Sequence, residues 1–356
     1  MRLRDPLRSL LALGALLAFA CGGGATPEGG TTPVEVSEAP PPPPFDPMAY
    51  MPADTYAVAE IDVAQVLASP YFETVWGWAE LIDELDPNLI ARVRSALDRT
   101  ERVILPFASN RSGRSPELGA VILVGRYEPG ELEGFLREAA DSEDFQDLEI
   151  AGHRGIGNDD GALIQLDPGA WILGPRYTLD TVIANPARPA VLADARYLEA
   201  QQQLTIAQPA VVVTMATVND VARTFVRRET PLSSEQAAHV QSGAAAVSVQ
   251  SGVQGEIVVR TDDPALAQAL AAEAQQGLGE AGQSMEARAM QLHTVAEQTE
   301  VQQDGTDVRV RMGLAAQEVE GMLGALDAFI QLALQARQQS GATATEVPAE
   351  PQPVAP

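Results

Sequence analysis

An α+β fold in two tandem modules is what the sequence predicts. Three observations carry it. Short β-branched runs alternate with helical segments through residues 53–339. Pro, Gly and Asp-Gly punctuate the changes. The order of elements is then the same in both halves.

In the first half, Tyr56 to Asp62 reads as a short strand. Val63 to Leu97 reads as helix in pieces. It is broken at Ser69-Pro70 and Asp86-Pro87, because proline cannot continue a helix interior. Arg102 to Ala108 and Leu118 to Gly125 are apolar, β-branched runs, hence strands. A helix follows from Pro129 to Ala140, with proline in its first turn. Strands near 148–154, 162–167 and 170–174 come next. The turn Asn158-Asp159-Asp160-Gly161 separates the first two as a hairpin connection. Helical pieces at about 178–184 and 192–203 close the half.

The second half repeats this. Pro209 to Thr217 is a strand, and Val218 to Arg228 and Ser233 to Gln241 are helical. Ala244 to Gln250 and Glu256 to Thr261 are strands. Pro264 to Glu280 is a helix, with Asp262 or Asp263 placed to cap it. Strands at about 292–302 and 306–314 flank Asp304-Gly305. A long helix runs from about Ala315 to Gln338, its apolar stripe formed by Val319, Met322, Leu323, Leu326, Ile330 and Ala333. Both halves therefore read β-α-β-β-α-β-β-α. Local likenesses agree: Ile61-Asp62-Val63 parallels Val218-Asn219-Asp220, and Arg126 to Pro129 parallels Arg260 to Pro264. The order matches a ferredoxin-like βαββαβ unit with an extra hairpin and helix. The expected modules are 53–205 and 206–339, related by duplication. In this the chain resembles exported duplicated domains.

The chain has 356 residues, 23 basic against 49 acidic, and a net charge of -26. Every basic residue other than His is Arg. Without Lys there is no Schiff-base, P-loop or Ser-Lys chemistry. One Cys leaves no intramolecular disulfide and no CxxC pair. So acidic a chain is not expected to bind nucleic acid. A hydrophobic content of 46% suffices for packed cores.

Residues 1–20 read as a signal peptide. Arg2, Arg4 and Arg8 make a positive start, and Ser9 to Ala20 is an apolar run. As a helix that run is about 18 Å long, short of a hydrocarbon core of about 30 Å. The junction Leu17-Ala18-Phe19-Ala20-Cys21-Gly22-Gly23-Gly24 resembles the lipobox of bacterial lipoproteins. The resemblance covers only the leader. It implies that Cys21 becomes the first mature residue and carries a diacylglycerol thioether, so the membrane is a partner through lipid. Gly22 in place of Asp then implies outer-membrane sorting. Ala18-Phe19-Ala20 equally fits an ordinary signal-peptidase site. Residues 21–52 read as a Gly/Pro-rich linker, with Pro40 to Pro44 in extended polyproline form. Residues 340–356 read as a disordered tail.

The chain lacks HExxH, GxSxG, GxGxxG and EF-hand patterns. No catalytic residue, cofactor or metal site is assigned. His153, His239 and His293 are far apart, and Asn158-Asp159-Asp160 is what a tight turn requires for itself. Two features rise above this background. Arg92, Arg94, Arg99, Arg102, Arg111 and Arg114 form an Arg-rich stretch, and Arg111 and Arg114 in its polar loop could meet an anionic glycan or an envelope protein. The other arginines have acids such as Glu131 and Glu133 to neutralise. In Tyr71 to Trp78, Phe72 and Trp76 sit one helical turn apart and should face a core. Trp78 points elsewhere and is a candidate for partner contact. The expected function is a lipid-anchored, non-enzymatic binding or scaffolding protein of the cell envelope, recognising through sheet faces, helix surfaces or the arginine loop. The alternatives are a carboxylate-dependent hydrolase and a solute-binding lipoprotein of a transporter.

Overall fold

The structure is a computed structural model that describes residues 45–80, 87–110, 112, 116–139, 145–229, 232–285, 288 and 293–343. It is α+β, as the sequence predicts. Among the described residues, thirteen strands form one sheet. In chain order they are β1 (Ala57–Asp62), β2 (Thr100–Ser109), β3 (Pro116–Leu118), β4 (Val121–Gly125), β5 (Gln146–Ile150), β6 (His153–Gly157), β7 (Gly161–Asp167), β8 (Ala170–Pro175), β9 (Val211–Ala216), β10 (Val240–Ser248), β11 (Gly252–Thr261), β12 (Thr299–Asp304) and β13 (Asp307–Ala315). The spatial order is β12-β13-β11-β10-β9-β1-β2-β4-β8-β7-β6-β5, with the short β3 also on β2.

The halves share one strand order. The first runs β1-β2-β4-β8-β7 and adds β6 and β5. The second runs β9-β10-β11-β13-β12. The first strands of the two halves pair antiparallel, Ala59 opposite Val213, so the sheet continues without a break. This corrects the ferredoxin-like order. A ferredoxin-like unit flanks its first strand with its third and fourth, whereas here the first strand of each half pairs with the second, β1 with β2 and β9 with β10. The helix after each first strand is capped alike: Asp62 Oδ1 accepts from Gln65 N at 3.0 Å and Asn219 Oδ1 from Ala222 N at 2.8 Å.

Helices lie on both faces. On one face are the 3-10 turn Pro47–Tyr50, α5 (Arg176–Ala184) and α6 (Ala195–Gln202). They cover an apolar cluster centred on Ile104, Ile122, Ile164, Ile172 and Leu179, all with no exposed surface. On the other face are α1 (Val63–Leu67), α2 (Phe72–Glu80), α3 (Pro87–Arg99), α4 (Glu131–Ala139), α7 (Asp220–Glu229), α8 (Ser234–His239), α9 (Pro264–Gln283), α10 (His293–Glu297) and α11 (Ala316–Thr343).

Several boundaries differ from expectation for local reasons. The single strand near 148–154 is the hairpin β5–β6. Its turn residues Ala151 and Gly152 both have positive φ (47° and 88°), the geometry a two-residue hairpin needs. Residues 293–297 are helical, so β12 starts only at Thr299. Residues 45–52, read as the end of the linker, belong to the body. Met51 is buried, Phe45 stacks on Tyr50 with ring centroids 5.6 Å apart, and Asp46 pairs with Arg188 at 2.5 Å. The long last helix reaches Thr343, four residues into the expected tail.

Both sheet edges are blunted. Val301 O on β12 takes a bond from Gln275 Nε2 of α9, and the strand carries Glu300 and Asp304. Edge strand β5 carries Asp147 and Glu149, and Arg137 bonds Phe145 O at its start. Charges and covered carbonyls on an edge oppose strand addition.

Candidate functional site

Strand parity places alternate side chains on opposite faces. On the face bearing α7 to α9, one register row runs across six strands: Val310 (β13), Ile257 (β11), Ala245 (β10), Val213 (β9), Ala59 (β1) and Leu105 (β2). Every member is apolar. At about 4.8 Å per strand the row is roughly 24 Å long.

The rows on either side lie under helices. On one side Ala57, Met215, Val259 and Val308 pack with α7, α8 and α9. On the other, Ile61, Val103, Val211 and Val247 pack with α1, α2 and α3, and Met312 packs with α11. The middle row is covered at Ala59, which is buried, and at Val213 and Leu105, which pack with the cluster under α1 to α3; its Val310, Ile257 and Ala245 end is left open. Ile257, on the third strand from the β12 edge, is 48% exposed. Val310, Ala245, Val213 and Leu105 are half-buried, and Val310, Ile257 and Ala245 belong to none of the apolar clusters among the described residues. Small residues keep this floor low: Gly243, Ala245, Gly255 and Ala59. Strand β10 shows the contrast between faces. Ser242, Ala244, Ala246 and Ser248 are buried on the α6 side, whereas Gly243, Ala245 and Val247 are half-buried on the open side. The result is a shallow apolar patch on β13, β11 and β10.

The opposite face at β11 and β13 is polar and fastened. Glu256 is 1% exposed, and its carboxylate accepts from Arg309, from Arg311 Nε at 3.0 Å, and from Thr205 N at 2.5 Å. Burial raises the Glu256 pKa, but the Thr205 amide and the two guanidinium groups outweigh it, so the net shift is downward. Beside it Arg260 bonds Asp307 at 2.8 Å and pairs with Glu199, while Gln203 bonds Asp307 at 2.7 Å. The Arg260 bond is the main cause that holds Asp307 below the usual carboxylate range. Glu199, Gln203 and Thr205 lie in α6 and the link to β9. The network therefore ties the junction between the halves to the second half. Its groups satisfy one another, which makes it a structural clasp.

The residues singled out in the sequence fall in different places. Cys21, Arg111 and Arg114 lie outside the described residues. Arg94, Arg99 and Arg102 pair with Glu73, Glu131 and Glu60, the neutralising role expected of them. Arg94 also covers the stacked Phe72 and Trp76 rings, 4.5 Å from the Phe72 centroid. Phe72 and Trp76 are buried, as expected. Trp78 is not a free surface ring. It is half-buried, and its Nε1 donates to Asp327 Oδ1 of α11 at 3.0 Å. Changing Trp78 to Phe should cost about 0.5–1.5 kcal/mol. Hydrogen exchange should then speed up in α11 more than in the central strands; equal protection in variant and wild type would show that the bond does not hold the helix.

The histidines stay apart. His153 Nδ1 meets Gln165 O, and His239 pairs with Asp262 at 2.7 Å, which raises the His239 pKa. Asn158 Oδ1 accepts from Asp160 N and Gly161 N, so that acidic run is a turn using its own amides. Among the described residues, no group of three or more His, Cys, Asp or Glu side chains could hold a metal, and no helix is long and apolar enough to cross a membrane.

The chain matches no protein-family model and no curated protein sequence. Among solved structures it is similar to crystal form III of TP0453 (TM-score 0.43, 10% identity, 79% of this chain and 98% of that chain). It is likewise similar to crystal form IV of TP0453 (TM-score 0.45, 9% identity, 79% and 96%).

Proposed function

We propose that this is a lipid-anchored protein of the cell envelope whose body binds rather than catalyses, and that binding uses the open face of the sheet. Cys21 carries the anchor, and the outer membrane is its destination. The two halves are copies of one ancestral unit, and the open patch lies on β13, β11 and β10 of the second.

The observation that supports the binding role is the open apolar patch. An isoleucine half exposed on an interior strand of a large sheet, between helices that cover the rows beside it, marks a surface that gains by being covered. Apolar burial contributes about 25 cal/mol per Å², so a ligand on this patch needs few polar contacts.

Photo-crosslinking tests the reading. A benzoyl-phenylalanine at position 257 is illuminated in intact envelopes, and the same group at position 198 serves as reference. Leu198 is also exposed but lies on α6, across the sheet. An adduct from 257 and none from 198 is expected. Absence of any adduct from 257 would refute binding at this face.

A further inference from the structure

We infer that the protein has a second binding site, for one neutral sugar ring, in a cleft on the α6 side of the sheet. It does not depend on the open patch around Ile257, which lies on the other face. The cleft has a volume of about 350 Å³. Its floor is one register row, Ser248 (β10), Gln254 (β11) and Gly313 (β13), next to the row that holds Glu256 and Arg311. The turn between β10 and β11, the end of β13 and Ala207, in the link before β9, complete the lining.

The local sequence builds this cleft. Gly252 has a φ of 145°, and any side chain there would strike the Leu314 carbonyl, so only glycine lets the turn lie this close to β13. Gln250 Nε2 donates to Gln208 Oε1 at 2.5 Å, which ties the turn to the link. Gly313 leaves open space where a side chain would stand. Ser248 is 7% exposed, and among the described residues its hydroxyl has no hydrogen-bond partner. A hydroxyl so enclosed and unspent is a group that a ligand satisfies. The Gln254 amide likewise makes no side-chain hydrogen bond among the described residues.

The lining selects the class of ligand. The hydroxyls of Ser248 and Ser251 and the amides of Gln250 and Gln254 both donate and accept, as sugar hydroxyls do. Among the described residues that line the cleft, none is charged. Arg311, in the next row, is engaged by Glu256 and Thr205. An anion or a cation would therefore enter without a counter-charge, and an anion would also meet the net charge of -26. No aromatic ring is among those lining residues, so a planar base finds nothing to stack on. Pockets for small ligands start at about 300 Å³, so this one takes a single ring and leaves the rest of a glycan outside.

The test uses the purified mature chain with glucose, galactose, mannose and N-acetylglucosamine as neutral probes, and binding is read by saturation-transfer NMR and calorimetry. Glucuronate and glucosamine are the charged arms. Gly313→Leu fills the floor, and Gln254→Ala removes an exposed amide and should leave the fold intact. Gly324→Leu, at an open glycine of α11, is the control, and circular dichroism establishes that each variant is folded. At least one neutral sugar should bind, one per chain. Its affinity should fall at least about tenfold in Gly313→Leu and by less in Gln254→Ala, but not in Gly324→Leu. No binding of any neutral probe at millimolar concentration, or binding indifferent to both cleft variants, would overturn the inference. Tighter binding of glucuronate or glucosamine would overturn the neutral class. Ile257→Glu should leave sugar binding unchanged; a loss there would put the sugar on the open patch and overturn the cleft as its site.

Discussion

Replacing Glu256 with Ala should lower the unfolding free energy by about 3–5 kcal/mol, the cost of removing one partner from a buried ion pair. The carboxylate is the shared acceptor for Arg309, Arg311 and Thr205. Without it two guanidinium groups side by side on one face of β13 lose their shared partner, and the Thr205 amide loses its acceptor. The expected signature is a lower urea midpoint with an unchanged slope. Glu256→Gln should cost less, since the amide keeps an acceptor but loses the charge. The same group predicts acid sensitivity. Glu256 and Asp307 have folded pKa values below their ordinary ones. The stability they contribute is complete above the usual carboxylate range and is lost as pH falls through the lowered folded values. Urea midpoints should therefore fall on the acid side, and more shallowly in Glu256→Gln. An acid limb identical to wild type in that variant would remove Glu256 from the account.

The second large effect concerns place rather than stability. Changing Cys21 to Ala should move the protein from the membrane fraction to the soluble fraction, while its thermal transition stays where it was. Each buried CH₂ contributes about 0.8 kcal/mol, so two or more acyl chains hold a protein stably on a bilayer where one does not. Loss of the attachment atom removes that whole term. The chain's net charge of -26 does not substitute for it. A Cys21→Ala protein still recovered with membranes would mean that something other than the thioether holds it there.

Much of the element order is legible locally. Proline placed the breaks before α2 and α3, and Asp263 before Pro264 announced the start of α9, where its carboxylate accepts from Ala265 N at 2.8 Å. The Phe72 and Trp76 spacing gave a buried stack. The failures share a cause, which is partners distant in the chain. Trp78 looked free on its own helix because Asp327, its acceptor, is far along the sequence. The β5–β6 turn was hidden because Ala151 occupies a position that usually announces itself with Asn or Gly. The Pro- and Gly-rich setting of residues 45–52 concealed four apolar side chains, Phe45, Met48, Tyr50 and Met51, that pack on the core. The ferredoxin-like order failed because element order alone does not say which strands pair.

The candidate site was the least legible part. It takes one residue from each of three strands, Val310, Ile257 and Ala245, and only the strand register brings them into line. A signal existed in the small residues Gly243, Ala244, Ala245 and Ala246, unusual for the middle of a strand. The Glu256 clasp had one too, an acid among apolar strand residues with Arg309 and Arg311 at matching parity on a later strand.

The claim that the protein is tied to a membrane through lipid is tested most directly by weighing its mature N-terminal peptide, taken from isolated envelopes, by mass spectrometry. The account predicts a peptide that starts at Cys21 and carries the added mass of a diacylglycerol thioether. A mature chain starting with an unmodified residue would contradict it.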